Sequence, residues 1–463
     1  MGDGLNQTAA ENRHPTFRQA LRFWLKLGFI SFGGPTGQIA IMHAELVERK
    51  RWISEARFIH ALNYCMLLPG PEAQQLATYI GWLLHRTWGG IIAGVLFVLP
   101  SMFILWGLSF IYAAYGSVPT VEAIFHGLKA AVLAIVAHAV IRIGRKVLKN
   151  WVMWTIAAAA FVAIYFLKAP FPAIIAGAGM IGFIGGVAAP RWFRVLKSHG
   201  SKGGDAGHAN NQRAVLHDDQ EIAAHHRPTL GRSLRVLVVC LMLWAAPILL
   251  AGGMLGWRSA LAQEGIFFSK AAMVTFGGAY AVLPYVAQQA VEKHEWLSKA
   301  EMMDGLGLAE TTPGPLIIVV QFVGFMGGWN HPIEWDDGTR ASPLLSATLG
   351  ALMATWTTFV PCFLWIFLGA PYVEGLRENV RLTSALATIT AAVVGVVLNL
   401  AVWFGLHAIF PGDAVTLENV NWFVVVVAAA TFLGLLRWNW GVVGVVLGCA
   451  AAGLLHGAVT GAL

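Results

Sequence analysis

Apolar residues in this chain fall in long runs separated by short polar stretches. The runs cover about residues 20–44, 57–85, 88–115, 121–141, 151–168 and 171–189. A polar stretch at 190–232 follows, and then runs at about 233–256, 264–290, 302–328, 343–369, 381–408, 419–436 and 439–460. About 20 apolar residues in helical form span about 30 Å of hydrocarbon. The pattern therefore predicts an all-α polytopic membrane protein of thirteen helical segments. Composition agrees: 12% of residues are charged, against about 25% in soluble domains. The 19 tryptophans suit interfacial belts.

The formal net charge of +7 does not point to nucleic acid, because the basic residues sit in short loops between apolar runs. Residues 142–149 carry Arg142, Arg145, Lys146 and Lys149, residues 191–235 carry eight Lys or Arg, and 371–381 carry Arg377 and Arg381. The loops at 116–122, 330–340 and 410–418 are neutral or acidic apart from Arg340. Cytoplasmic loops are the basic ones, which predicts a cytoplasmic N-terminus and a periplasmic C-terminus. One loop conflicts: 45–57 carries Arg49, Lys50, Arg51 and Arg57, yet simple counting places it outside. The conflict disappears if segments 20–44 and 57–85 are both re-entrant, which leaves nine full crossings when their counterparts behave alike. The N-terminus is polar and lacks a cleavable signal pattern. Cys65, Cys240, Cys362 and Cys449 stand singly in apolar stretches and read as small buried hydrophobes. His199, His208, His217, His225 and His226 in the polar stretch fit no compact metal site, so no metal or cofactor is expected.

One pattern occurs twice. Phe32-Gly33-Gly34 returns as Phe276-Gly277-Gly278, and Pro69-Gly70-Pro71 returns as Pro313-Gly314-Pro315, both at an offset of 244. From Lys26 to Pro71, 13 of 46 positions match their counterparts, too many for a coincidence of composition. The chain divides into an N-terminal repeat (1–189), a flexible cytoplasmic linker (190–232), a linking helix (233–256) and a C-terminal repeat (257–463). The linking helix supplies the odd crossing that turns the second repeat upside-down relative to the first. Inverted repeats with broken helices mark the binding site of many secondary transporters.

The repeated motifs are helix breakers. The glycine pairs free the backbone for φ > 0 and for close approach to a ligand, and Pro35 suits the first turn of a new helix. Pro71 and Pro315 would each start a half-helix in the same way. The free N-terminus of a half-helix carries unpaired N–H donors and positive partial charge, which favours an anion. Four such termini, at Gly33-Gly34-Pro35, Pro69-Gly70-Pro71, Gly277-Gly278 and Pro313-Gly314-Pro315, are expected to converge on a small oxyanion near the midplane. Lys26 and Lys270, seven residues before each glycine pair, would attract or partly neutralise a dianion; the alternative is snorkelling to the interface. Glu72 and Glu310 flank the two Pro-Gly-Pro motifs as candidates for proton coupling, or as caps. Gln74, Thr311 and Thr312, with Gln75 and Gln321, would supply neutral hydrogen bonds. His60 and Asp304 occupy equivalent positions but differ in type, so the halves are not chemically identical.

These residues resemble the chromate ion transporter family in its long, two-repeat form. The resemblance rests on Phe32-Gly33-Gly34-Pro35, on Glu48-Arg49-Lys50-Arg51-Trp52-Ile53-Ser54, on Leu68-Pro69-Gly70-Pro71-Glu72, and on the related runs 276–286 and 310–316. It covers nearly the whole chain. Ala279 stands where the first half has Pro35, so the second break is expected to be gentler. The resemblance implies chromate efflux across the bacterial inner membrane and chromate resistance. The residues alone reach a tetrahedral, divalent oxyanion, and sulfate shares that shape and charge. Uptake or exchange of sulfate or a related oxyanion, or an anion channel on the same scaffold, is the alternative, and a homo-oligomer is compatible with the sequence. No HExxH, paired-cysteine, Rossmann or Walker pattern supports an enzyme.

Overall fold

The structure is a computed structural model that describes residues 14–193, 215–216, 229–276, 278–335, 338–370, 380–410 and 416–461. Most of the 190–232 linker and the 371–379 loop lie outside the described residues. The fold is helical. Seven helices are long and apolar enough to cross a membrane, and three shorter apolar helices accompany them among the described residues.

The first repeat begins with α1 (Phe17–Ile30), α2 (Gly34–His43) and α3 (Glu55–Cys65). It continues with α4 (Glu72–Tyr115), α5 (Pro119–Val147), α6 (Trp151–Tyr165) and α7 (Phe171–Ala188). The linking helix is α8 (Leu230–Leu255). The second repeat starts with α9 (Ala260–Met273), α10 (Ala279–Ala287), α11 (Lys299–Thr311) and α12 (Val319–Asn330). It ends with α13 (Pro343–Gly369), α14 (Val380–Ile409), α15 (Trp422–Arg437) and α16 (Val442–Thr460). The order recurs in detail. Even the wide π-helical turn at Ala44–Arg49 returns at Gln288–Lys293, again 244 residues on.

Segments 20–44 and 264–290 do not run straight. The first breaks at Gly33-Gly34, the second just before Gly278, and each doubles back. The Phe23 ring on α1 packs 5.3 Å from that of Trp52, beyond the π-turn, and Lys26 Nζ lies 3.9 Å from Glu45. The second repeat reproduces the contact, with Phe267 5.7 Å from Trp296. Segment 57–85 also turns, at Pro69-Gly70-Pro71. The stretch 72–115 then bends sharply at His85 and Arg86, whose φ of 55° is left-handed. Residues 72–84 and 87–115 therefore form a tight antiparallel hairpin. Glycines let its two arms touch: a Cβ on Gly81 would lie 2.5 Å from the Gly89 carbonyl oxygen. The counterpart, α12 against α13, closes on Gly324, Gly328 and Gly350, but its arms are joined by a longer loop.

Residues 87–115 link three levels of the bundle. His85, at their start, lies 2.9 Å from the Pro15 carbonyl oxygen at the mouth of the first hairpin. Ser101 lies beside Gly314. Trp106 Nε1 then donates to Thr348 Oγ1 at 3.1 Å, near the start of α13. At the mouth of the second hairpin, Asn330 Nδ2 donates to the Trp296 carbonyl at 2.9 Å.

The repeats interlock. The helices α5 and α14 pack on each other, α15 and α16 of the second repeat pack on α5, and α6 and α7 of the first pack on α14. Small residues permit close approach, as is usual between membrane helices: Gly127 meets Cys449 and Gly453, and Gly182 meets Ser384 and Thr388. Past Arg235 the linking helix α8 is apolar all round, and it buries only Ala251 and Gly252, which suits a lipid-facing position.

Candidate anion-binding site

The breaks meet inside the bundle, and they meet across repeats. The Gly314 N–H donates to the Ser31 carbonyl at 2.7 Å, and the Gly70 N–H donates to the Thr275 carbonyl at 2.8 Å. Ser31 and Thr275 are themselves 244 residues apart, and so are Gly70 and Gly314. The carbonyl that ends each first half-helix thus accepts from the Pro-Gly-Pro glycine of the other repeat. The first and third breaks also touch, since a Cβ on Gly278 would lie 3.7 Å from the Pro35 ring. These bonds matter because an unpaired backbone group away from water costs several kcal/mol.

Positive φ appears where the breaks require it. Gly33 (88°), Gly34 (67°), Gly70 (116°), Gly278 (98°) and Gly314 (99°) all occupy the region that favours glycine. Gly277 lies outside the described residues. Pro35 enters the first turn of α2, Pro71 precedes the first residue of α4, and Pro315 precedes the short 3₁₀ turn Leu316–Ile318 that opens α12.

Several helix starts away from the breaks are closed by side chains. The side chains of Thr16, Ser54, Ser259, Ser298 and Ser342 cap α1, α3, α9, α11 and α13. The four starts at the breaks, after Gly33, Pro71, Gly278 and Pro315, have no side-chain cap. The first N–H groups of a helix have no partner within it. Four uncapped starts near one another therefore leave donors for a ligand with several acceptor oxygens.

The other candidates are distributed unevenly. Glu72 is buried in the first turn of α4, where the helix dipole favours a carboxylate. Glu310, buried in the last turn of α11, accepts from the Tyr280 hydroxyl at 2.5 Å. The Thr311 and Thr312 hydroxyls both donate back to the Leu308 carbonyl, at 2.6 and 2.8 Å. Gln75 Nε2 donates to the Pro69 carbonyl at 2.7 Å and braces that break. Gln74 is buried with neither amide atom partnered, and it lines an apolar cavity of about 700 Å³ between α4, α8 and α13. That cavity is walled by residues such as Leu250, Met254 and Trp356, which suit a lipid chain better than an ion. Lys26 and Lys270 are exposed, and Lys26 lies beside Glu45. Asp304 accepts from Tyr112 at 3.0 Å.

Several site residues escaped the sequence. Gln38 is fully buried, and its Nε2 donates to the carbonyls of Gly314 and Ser31 (3.5 Å for the latter), tying the first break to the fourth. Its counterpart is Val282, so duplication gave no signal. Ser101 and Cys362 each follow a proline inside a long helix and pack against Gly314 and Gly70 of the opposite repeat. They lie beyond the ungapped repeat, which the longer α12–α13 loop interrupts. Ser31 and Thr275 did carry a signal, two hydroxyl residues in register immediately before Phe-Gly-Gly.

The two repeats also differ in environment. All nine residues of α10 are buried, whereas α2 buries only Gln38 and Met42.

A family model described as "Chromate transporter" matches residues 18–183 and again 263–454. The chain belongs to the chromate transporter family. The double match divides where the structural repeats divide, so this family member is a multi-pass membrane protein built from two copies of one unit. It is 28% identical over 398 residues to the chromate transport protein of Cupriavidus metallidurans, covering 84% of each chain. It is 31% identical over 389 residues to the chromate transport protein of Pseudomonas aeruginosa, covering 82% of this chain and 79% of that one. A probable chromate transport protein of Synechococcus elongatus is 26% identical over 395 residues, covering 85% and 86%. No solved structure matches. The family is one of transporters, not of enzymes.

Proposed function

We propose that this protein exports chromate from the cytoplasm of a bacterial cell by alternating access, as a secondary transporter of the inner membrane that confers chromate resistance. The observation that carries the reading is the meeting of four uncapped helix starts, two from each repeat, joined by the paired bonds Gly314 to Ser31 and Gly70 to Thr275. Their N–H groups and dipoles suit a tetrahedral dianion, whose oxygens accept from several directions at once. Gly33, Gly34, Pro35, Pro69, Gly70, Pro71, Gly277, Gly278, Pro313, Gly314 and Pro315 form the cradle. Lys26 and Lys270 draw the anion in, and Glu72 or Glu310 responds to protons. Chromate, rather than sulfate, follows from the names of the relatives; sulfate is the expected competitor.

Orientation follows from charge and from the course of residues 87–115. Arg49, Lys50 and Arg51 sit at the mouth of the first hairpin, and basic loops favour the cytoplasm. Residues 87–115 start at that mouth, pass the breaks at Ser101 and reach the second repeat's mouth region at Trp106 and Thr348. This supports hairpins entering from opposite faces, hence inverted repeats, nine full crossings, a cytoplasmic N-terminus and a periplasmic C-terminus. The unequal burial of α2 and α10 fits one of two alternating states. Exporting a dianion from a cell that is negative inside releases about 2.3 kcal/mol per charge per 100 mV, so efflux needs no ATP.

Labelled chromate flux in everted vesicles, with pH and voltage set independently, tests this. Uptake into everted vesicles that saturates and is reduced by sulfate is expected. Greater chromate accumulation by intact expressing cells than by control cells would overturn the efflux direction, and non-saturating flux would indicate a channel.

A further inference from the structure

Glu264 stands on α9, and none of the roles above uses it. It is fully buried, and both carboxylate oxygens lack a hydrogen-bond partner. Three other buried carboxylates are served: Glu45 by Lys26 and Arg49, Asp304 by Tyr112, and Glu310 by Tyr280. Two glycines on two other helices make the room for Glu264. A Cβ on Gly327 of α12 would collide with Oε1, and one on Gly350 of α13 would lie 2.9 Å from Oε2. The carboxylate thus occupies a niche shaped for it, roofed by Trp296 beside Gly327.

Its surroundings hold little charge. Helix α12 has no ionisable residue, and α13 has only Cys362, twelve residues beyond Gly350. Helix α8 meets α9 through Ile248 at Gly265, while its Arg232, Arg235 and Cys240 lie toward its other end. Helix α10 contributes Tyr280, held by Glu310, and Tyr285, packed on Phe267. The mouth segment brings His294, stacked on Trp296 at 4.5 Å, and Glu292, Lys293 and Glu295, all exposed. On α9 itself Lys270 is exposed, six residues further on. A carboxylate away from water needs a compensating positive charge or a proton, and no basic side chain supplies the charge here.

We propose that Glu264 carries a proton across the membrane in the transport cycle, a role separate from the response of Glu72 or Glu310 to protons at the cradle. A carboxylate oxygen forms an O–H bond with a proton from water on one face. The proton travels while the niche is closed, and the O–H bond breaks to water on the other face. Coupling runs through α9, a rigid rod of 14 residues, about 21 Å long. Beyond its inner end is the Thr275 carbonyl that accepts from Gly70 at the anion cradle, and near its outer end is Glu264. A shift of the α9–α10 hairpin against α12 and α13 therefore alters the cradle and opens the niche together. The first repeat has Ala20 at the equivalent position, so this site carries one proton per cycle.

The inference rests on the proposed chromate transport, and the test separates the two. Purified full-length protein is reconstituted in liposomes containing a pH-sensitive dye; chromate counterflow is read in one set of vesicles, and proton movement during net downhill chromate flux in another. Wild-type protein is expected to move protons with chromate, and Glu264→Gln to lose that movement by about tenfold or more while counterflow continues. Glu264→Asp should recover part of it. Absent counterflow in wild type sinks the transport reading. Wild-type counterflow without proton movement, or a Glu264→Gln variant that still moves protons, sinks the proton role of Glu264 alone. A second measurement uses only wild-type protein, so a misfolded variant decides nothing. N,N′-Dicyclohexylcarbodiimide attacks protonated carboxyls in apolar surroundings. Peptide mass spectrometry should find Glu264 labelled, less so at high pH, and with an extent that chromate changes. An unlabelled Glu264, or labelling indifferent to both, overturns the proposal.

Discussion

The Gly314 amide donates to the Ser31 carbonyl across 2.7 Å, joining residues 283 positions apart in the chain and in opposite repeats. Its symmetry mate joins Gly70 to Thr275 at 2.8 Å. Each bond ends one helix of one repeat on the turn that opens a helix of the other. Movement of either hairpin therefore reaches both halves of the candidate site.

Gly314 has two reasons to be glycine. Its φ is 99°, and a Cβ would lie 2.6 Å from Ser101 Oγ. Gly314→Ala should cost about 1–3 kcal/mol of stability and most of the chromate flux. Adding Ser101→Gly removes the collision but not the backbone strain, so recovery should be partial. Thermal unfolding in detergent and vesicle flux provide the two readings; full recovery in the double variant would show that φ is immaterial.

Gly33 has a different constraint. Its φ of 88° is left-handed, but a Cβ there meets nothing nearer than the Gly37 Cα at 3.8 Å. Space is available and backbone freedom is not. Asn tolerates this region better than a β-branched residue does, so Gly33→Asn should keep more chromate resistance than Gly33→Val at equal membrane abundance. Gly33→Leu should abolish it. Equal growth of the Asn and Val variants on chromate would count against the conformational argument.

Lys26 and Lys270 are exposed, so their effect on the anion is long-range. Lys26→Gln and Lys270→Gln should raise the chromate KM, and the increase should shrink at high salt because exposed charges are screened within about 8 Å at physiological ionic strength. Michaelis curves at two ionic strengths check this. An unaltered KM in both variants assigns the lysines to the membrane interface.

Tyr280 and Glu310 share a 2.5 Å hydrogen bond beside the fourth break. Tyr280→Phe leaves Glu310 without that donor, a loss of about 1–3 kcal/mol, and should slow transport. Glu310→Gln keeps an acceptor oxygen for the hydroxyl. If the carboxylate only accepts, Gln should be nearly neutral. If it handles protons, transport should survive with its pH profile flattened. The pH dependence of flux in the two variants distinguishes these roles.

The hairpin of residues 72–115 depends on glycine contacts. Gly81→Leu would drive a side chain against the Gly89 carbonyl and Ala93, whereas the Cβ of Gly107→Leu meets nothing within 4 Å. The first should abolish accumulation of folded protein and the second should not, as fluorescence-detected size exclusion would reveal. Comparable elution profiles for both would contradict the tight hairpin.

Much of this architecture was legible in the sequence because membrane helices are constrained locally. Each must satisfy its own backbone and be apolar over a definite length, so the segments, the linking helix and the four breaks could be read from composition, glycine and proline. The 244-residue offset exposed the duplication, and the arginines at 49 and 51 already hinted that the first segments turn back. What only the tertiary structure decided is which groups meet. Gln38 bridges Ser31 and Gly314 without a counterpart in the other repeat, Gln74 lines an apolar cavity, and Ser101 and Cys362 reach the opposite repeat's glycines. Such contacts arise from the crossing of helices far apart in the chain. Periodicity along one helix sets which face is apolar, but the partner's position sets what that face touches.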